Sequence, residues 1–240
     1  MPKTLMNKSG KRFLIKDASK DMHTQFGFFL KKDLKKAGKI KSNMGSKFSV
    51  FNAGFIDLYR KIKRDAQIIP LKDIGLVVAE TGINGKSKVV DAGSGSGAVA
   101  CFLANIVKDV TTYEIREDFI EIVKNNIKFL NLKNIKIRNK NIYDGISEKN
   151  VDLVVLDLPE PWKALESAEK ALKVGGFLVS YSPTITQVSD FVNALRDNNN
   201  FAYLKTSEII ERDWEVDGRK VRPRSQAIGH SGFLSFARRI

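Results

Sequence analysis

The chain has 240 residues, 42% hydrophobic and 28% charged, which is enough apolar side chain for a sizeable core and excludes disordered and fibrous classes. No apolar run reaches the roughly 18 to 20 residues of a membrane-spanning helix. The basic stretch Met1 to Arg12 has no apolar stretch behind it, so no signal peptide is expected and the protein is placed in the cytoplasm, off the membrane. Lys and Arg outnumber Asp and Glu by 41 to 27, a formal charge of +14. Residues 1–65 hold 17 basic and 5 acidic side chains, so 12 of the 14 net charges lie in the first quarter. That asymmetry points to a surface for nucleic acid or anionic membrane joined to a nearly neutral body, or to a solvated face that aids solubility.

Along the first 60 residues short strands and turns are expected: Arg12 to Ile15, Gln25 to Leu30 and Phe48 to Ile56, interrupted by Lys31 to Lys41 and by Gly38, Gly45 and Gly54. After Arg64 the rhythm changes. A helix is predicted over Lys72 to Glu80, then a buried strand, Lys88 to Asp91, a glycine-rich turn, and a helix over Val99 to Val107. Strand Val110 to Ile115, helix Glu117 to Phe129, strands Ile135 to Ile142 and Val151 to Leu158, helix Lys163 to Leu172, strand Phe177 to Tyr181 and helix Thr184 to Leu195 follow. Strand and helix in turn give an α/β fold, a parallel sheet covered by helices on both faces. Ala202 to Trp214 and Gly232 to Ala237 look like two further strands without a helix between them, joined by the basic segment Arg219 to Arg224. Trp214 and the N-terminal aromatic residues are expected in the core.

The chemistry concentrates where strands end. Asp91-Ala92-Gly93-Ser94-Gly95-Ser96-Gly97 joins a strand to a helix, and its glycines let the backbone turn tightly and approach a ligand closely. Glycines at every second position after an acid differ from the G-x-G-x-x-G of nicotinamide dehydrogenases, whose helix N-terminus faces a pyrophosphate. This Asp-x-Gly-x-Gly-x-Gly pattern resembles the first motif of class I methyltransferases, which implies S-adenosylmethionine as cofactor. One strand and helix later, Glu114 stands where an acid accepts hydrogen bonds from ribose hydroxyls. The next strand ends at Lys140-Asn141-Ile142, and the Asn141 carbonyl oxygen offers the adenine amino group an acceptor. The fourth strand delivers Asp157-Leu158-Pro159-Glu160-Pro161-Trp162, whose two prolines stiffen the loop and hold Asp157 at the mouth of the site. A carboxylate there activates a nitrogen nucleophile, or else caps the following helix. Cys101 is the only cysteine, and His23 and His230 are the only histidines, so disulfide and zinc chemistry are not expected and no metal is assigned.

Taken together, Asp157 to Trp162, Asp91 to Gly97, Tyr113 to Asp118, Gln67-Ile68-Ile69 before Lys72-Asp73, Ser182-Pro183 with Gln187, and Arg222-Pro223 followed by Gly229-His230-Ser231-Gly232 resemble the tRNA (adenine-58-N1)-methyltransferases of archaeal type. The resemblance runs from about residue 45 to the C-terminus. It implies a small basic β-rich domain over 1–62 and a catalytic domain over 63–240, the latter with a mostly parallel seven-stranded sheet and a C-terminal antiparallel hairpin. It further implies a homotetramer acting on adenosine 58 in the T-loop of tRNA. Carried over residue by residue, Gln67, Gly93, Ser94, Gly95, Ser96, Gly97, Ala98, Glu114, Ile115, Asn141, Ile142 and Asp157 surround the cofactor. Asp157 is also the catalytic residue, and Pro159, Trp162, Arg222 and His230 meet the substrate. Two positions depart from the family pattern: Pro70 stands where an aromatic residue is usual, and Asn141 replaces an acid. Two other readings keep the fold and change the function, namely a methyltransferase for a small molecule or protein carboxylate, and a non-catalytic RNA-binding subunit.

Overall fold

The computed structural model describes residues 2–226 and 228–240, which form two compact units, Met1–Ile62 and Lys63–Ile240. Among the described residues no helix is long and apolar enough to cross a membrane.

The first unit is built on a four-stranded antiparallel sheet. Its strands are β1 (Lys3–Met6), β2 (Arg12–Ile15), β5 (Gly38–Lys41) and β6 (Lys47–Asn52), in the order β2-β1-β6-β5. A second hairpin, β3 (Met22–Thr24) with β4 (Gly27–Phe29), and the short helix α1 (Lys31–Leu34) accompany it. Alternation along the strands sends Leu5, Ile15, Phe48 and Val50 to one face, where they bury with Phe29 and Leu34. Phe29 meets Phe48 edge to face, ring centroids 5.2 Å apart. The single strand expected over Phe48 to Ile56 is shorter. The chain breaks at Ala53-Gly54, because the Asp57 carboxylate accepts the Gly54 N–H at 3.0 Å and starts helix α2 (Phe55–Tyr59). Strand β5 falls within the segment expected to interrupt the strands, since only Ile40 of its four residues is even partly buried.

The second unit is a seven-stranded sheet between helices. Helix α3 (Leu71–Thr81) follows Pro70 and stops at Gly82, which adopts the left-handed φ of +62°. Next come β7 (Lys88–Ala92), α4 (Ala98–Ala104), β8 (Asp109–Glu114), α5 (Glu117–Leu130), β9 (Ile135–Asn139) and β10 (Val151–Leu156). They are followed by α6 (Leu165–Ala171), β11 (Leu172–Ser182), α7 (Ile185–Asp197), β12 (Phe201–Glu208), the hairpin β13 (Trp214–Asp217) with β14 (Lys220–Pro223), and β15 (Phe233–Arg239). Strand order is β12-β15-β11-β10-β7-β8-β9, and β15 runs antiparallel to both its neighbours. Central strands β7 and β10 are near-continuous apolar runs because both their faces are covered: Val89, Val90, Leu153, Val154, Val155 and Leu156 are all buried. Chain order reverses between β7 and β10, and open α/β sheets bind ligands outside the strand ends at such a switch point.

Two expectations about the C-terminal part change. The strand expected over Ala202 to Trp214 ends at Glu208, and the basic segment Arg219 to Arg224 supplies a strand of its own rather than a connector. Trp214 is 54% exposed on that hairpin, because β13 and β14 pair with each other and not with the main sheet.

Candidate active site

The loops leaving β7 and β10 meet at the switch point. Gly93, Gly95 and Gly97 adopt φ of +84°, +48° and +74°, all in the left-handed region. A Cβ at Gly93 would lie 2.0 Å from the Asp157 carbonyl oxygen, and the Asp157 N–H donates to the Ala92 carbonyl at 2.8 Å. The glycine turn and Asp157 are therefore locked together through the backbone. A Cβ at Gly97 would come within 3.0 Å of Val123 on α5, so this glycine serves helix packing. Gly95 differs, because its nearest neighbour would be Ala66 Cβ at 3.6 Å, an ordinary contact. Protein packing leaves that position open.

Ser94 and Ser96, expected among the cofactor residues, turn their hydroxyls into the protein. Ser94 Oγ contacts Thr112 Oγ1 and the Tyr113 carbonyl. Ser96 Oγ accepts from the N–H groups of Asp65 and Ala66 at 3.1 and 3.3 Å. Asn126 completes the tie, donating to the carbonyls of Ser96 and Lys63 and accepting the Lys63 N–H. The segment carrying Gln67, itself exposed, is thus held against the turn. Ala98 and Ile142 are buried, Ile142 within the main core, so neither side chain is presented to a ligand.

Three carboxylates gather here. Asp91, 1% exposed, accepts from Thr112 Oγ1 at 2.6 Å through Oδ2, while its buried Oδ1 has no hydrogen-bond partner among the described residues. Burial, against the hydrogen bond from Thr112 and with the negative charges of Asp157 and Glu114 nearby, pushes its pKa up to about 7. Glu114 accepts the Gly95 N–H at 2.9 Å on Oε2, and those of Ile115 and Arg116 at 2.9 and 3.0 Å on Oε1. Both Oε1 positions are filled, and Oε2 keeps one free. Asp157 is half-buried, has no hydrogen-bonded side-chain partner among the described residues, and has its pKa pushed up to about 7 by burial. Ile115, beside Glu114, exposes 62% of its surface. Asn141 caps the 3₁₀ turn Ile142–Asp144, its Oδ1 accepting the Tyr143 N–H at 3.0 Å, so the amide expected near adenine also has a local structural task.

The wall beyond Asp157 is fastened in two places. Gln187, on the first turn of α7, donates to the Pro159 carbonyl at 3.0 Å. Trp162 is half-buried against the main core. The Gly229 to Gly232 segment is held by a network that joins motifs far apart in the sequence. Lys72 Nζ donates to Asp73, to the Ile209 carbonyl at 2.7 Å and to Ser231 Oγ at 2.7 Å, and Ser231 Oγ donates to Asp73 at 3.0 Å. Tyr181 donates to the Ser231 carbonyl at 2.5 Å, and a Cβ at Gly232 would strike its ring at 2.4 Å. Partners 158 residues apart leave no local signal.

His230 lies between the Glu208 carboxylate, 2.6 Å from Nδ1, and the Pro183 carbonyl, 2.8 Å from Nε2. Two acceptors facing two ring nitrogens favour the imidazolium, which donates to both, and the carboxylate contributes most to raising its pKa. The latch is therefore complete below the ordinary histidine range and released as pH rises through the raised pKa. Glu208→Gln is expected to bring the His230 titration, followed by NMR of the imidazole resonances, back toward the ordinary value; an unchanged titration would show that the carboxylate does not hold the proton. Arg222 is exposed on β14 and pairs with Glu215 at 2.9 Å, so part of the basic run is already balanced. Among the described residues no three His, Cys, Asp or Glu side chains are grouped to hold a metal ion.

Comparison with known proteins places these features in a family. Residues 59–222 match the family described as the tRNA methyltransferase complex GCD14 subunit. The chain is 34% identical to the tRNA (adenine(57)-N(1)/adenine(58)-N(1))-methyltransferase TrmI of Methanocaldococcus jannaschii, over 98% of this chain and 94% of that protein. Among solved structures, the tRNA (m1A58) methyltransferase TrmI of Aquifex aeolicus superposes with a TM-score of 0.86 at 26% identity, covering 100% of this chain and 97% of the other. An S-adenosylmethionine-dependent O-methyltransferase of Thermotoga maritima superposes with a TM-score of 0.89 at 27% identity, covering 100% and 92%. The expected class I methyltransferase fold is borne out by these neighbours.

Proposed function

Because the chain belongs to the tRNA methyltransferase complex GCD14 subunit family, we propose that it transfers a methyl group from S-adenosylmethionine to N1 of adenosine 58 in the T-loop of tRNA. The observation that carries the reading is Asp157: a recessed carboxylate whose side chain has no hydrogen-bonded partner among the described residues, locked by its own backbone to the glycine turn.

The residues present fit the cofactor. Gly95 leaves space that a side chain would fill, Glu114 Oε2 keeps one acceptor position for a ribose hydroxyl, and Ile115 offers an apolar surface to the adenine ring. When bound, S-adenosylmethionine supplies an electrophilic methyl group on a positively charged sulfur. Adenine N1 lies on the Watson–Crick edge, so the target base must leave its stack to present it. Asp157 accepts a hydrogen bond from the N6 amino group, which raises electron density at N1 and stabilises the positive charge that grows on the ring. Pro159 and Trp162 border the base, and Arg222 and His230 engage the RNA beside it. The unit over 63–240 is the catalytic domain, and the basic unit over 1–62 adds affinity for the polyanion. Exposed Trp214, Val216 and Val221 on the β13–β14 hairpin support self-association, which we assign as a homotetramer.

Incubation with unmodified tRNA and methyl-labelled S-adenosylmethionine, followed by mapping of the labelled nucleotide, tests the reading. Label in 1-methyladenosine at position 58 supports it, and the same map reports position 57, which the name of the archaeal relative includes. Transfer only to a small molecule or protein would overturn it, as would absence of transfer from a cofactor whose binding calorimetry detects.

A further inference from the structure

The side of the N-terminal sheet turned away from its core carries a groove of about 820 Å³. Its composition follows from register. Leu5 stands opposite Val50 and Ile40 opposite Phe48, all facing the core. Residues at the intervening positions point the other way, which brings Lys39, Lys41 and Lys47 to the outer face together with Met6 and Phe51. Lys8, just beyond β1, joins them in lining the groove. Against these four lysines the lining holds one acid, Asp33. None of the four is in an ion pair among the described residues, so their charge is uncompensated within the protein. Phe51 and Met6 are half-buried, so each keeps part of its apolar surface exposed.

Lysines spaced along a sheet face with an aromatic ring at one end of their row match the needs of an unpaired nucleic-acid strand. The phosphates require cations without firm partners, and an unstacked base requires an apolar or aromatic surface. A duplex buries its base faces in its own stack and has no use for Phe51. We propose that this groove binds an unpaired stretch of the tRNA, with phosphates on Lys39, Lys41 and Lys47 and a base against Phe51. The assignment rests on the reading of the chain as a tRNA methyltransferase and makes the N-terminal charge a defined site rather than a diffuse field.

The test uses the full chain. A triple variant, Lys39→Ala with Lys41→Ala and Lys47→Ala, is compared with wild type for binding of unmodified tRNA by fluorescence anisotropy across a salt series. Phe51→Leu, which keeps an apolar side chain and loses the ring, is measured alongside. Three lost phosphate contacts are expected to make the log–log salt slope shallower by about 2, taking roughly 0.7 per contact for a single strand, and to weaken binding at least tenfold at low salt. Phe51→Leu is expected to weaken binding several-fold with an unchanged slope. S-adenosylmethionine binding and thermal melting of both variants should match wild type. A 12-nucleotide oligouridine should compete with tRNA for the wild type, and a blunt RNA duplex of equal charge should not.

Wild-type affinity and slope in the triple variant would overturn the site, as would a duplex that competes as well as the single strand. Methylation of tRNA by the wild type is followed in the same preparations. If it proceeds while the triple variant binds normally, the groove assignment falls alone. If the wild type methylates no tRNA but the triple variant loses the oligouridine, the functional reading falls and the groove stands as an RNA site.

Discussion

Asp157→Asn is expected to slow single-turnover methylation of saturating tRNA by about 10²- to 10³-fold, while the dissociation constants for tRNA and S-adenosylmethionine stay within about threefold of wild type. The asparagine keeps the shape and an oxygen acceptor but loses the charge that opposes the cation forming on adenine. Loss of one preorganised electrostatic contact of this kind costs about 2.7 to 4 kcal/mol of transition-state stabilisation. A pH profile gives an independent readout. Burial pushes the Asp157 pKa up to about 7, so the wild-type rate should climb through neutral pH and level off above it as the carboxylate ionises. The asparagine variant should lack that step. Stability should move the other way. A carboxyl whose folded pKa is raised from 3.8 contributes stability at low pH that is lost as pH rises toward 7, and asparagine escapes that loss. The melting temperature of Asp157→Asn should therefore exceed wild type by a margin that grows from about pH 4 to 7. A variant that methylates within about threefold of the wild-type rate would reduce Asp157 to a structural residue.

Gly95→Val is expected to abolish measurable cofactor binding, a loss of at least 100-fold by calorimetry, in a protein that remains folded. The backbone at φ +48° makes a branched residue strained, by roughly 1–2 kcal/mol, but a Cβ there meets nothing closer than Ala66 at 3.6 Å. The new methyl groups must project into the space left for the ligand. Gly93→Ala gives the contrast, because even one methyl group would have to displace the Asp157 carbonyl, 2.0 Å away, and with it the β10 loop. It should lower thermal stability and impair methylation together. Wild-type affinity for S-adenosylmethionine in folded Gly95→Val would remove the glycine turn from the cofactor site.

Much of this site is legible in the amino-acid sequence. The turn at Gly93, Gly95 and Gly97, the strand-end acid Glu114 and the Asp157-Leu158-Pro159 loop are local patterns, set by which backbone conformations the residues permit and by apolar runs that must be buried. The alternation of strand and helix after Arg64 announces the parallel sheet for the same reason. Elements with weak burial leave no such trace: β5 has one partly buried residue in four, and β14 is wholly exposed, so neither shows a hydrophobic period. Phe48 to Ile56 reads as one strand because apolar content does not reveal that the Asp57 carboxylate caps a helix at Gly54.

Tertiary structure alone decided how the polar groups are used. Ser94 and Ser96 spend their hydroxyls inside the protein and Asn141 caps a turn, although all three sit in motifs that suggest ligand contact. His230 becomes a latch favouring the charged ring because Glu208 and Pro183, distant in sequence, both present acceptors to it. Lys72, Asp73 and Ser231 close a buried network across 158 residues. By itself the sequence determined the fold class, the glycine turn after β7 and the strand-end carboxylate Asp157, because backbone freedom and hydrophobic period act between near neighbours. Which hydroxyls, amides and charges remain free for a ligand depends on donors and acceptors brought together from remote parts of the chain, and only the folded structure pairs them.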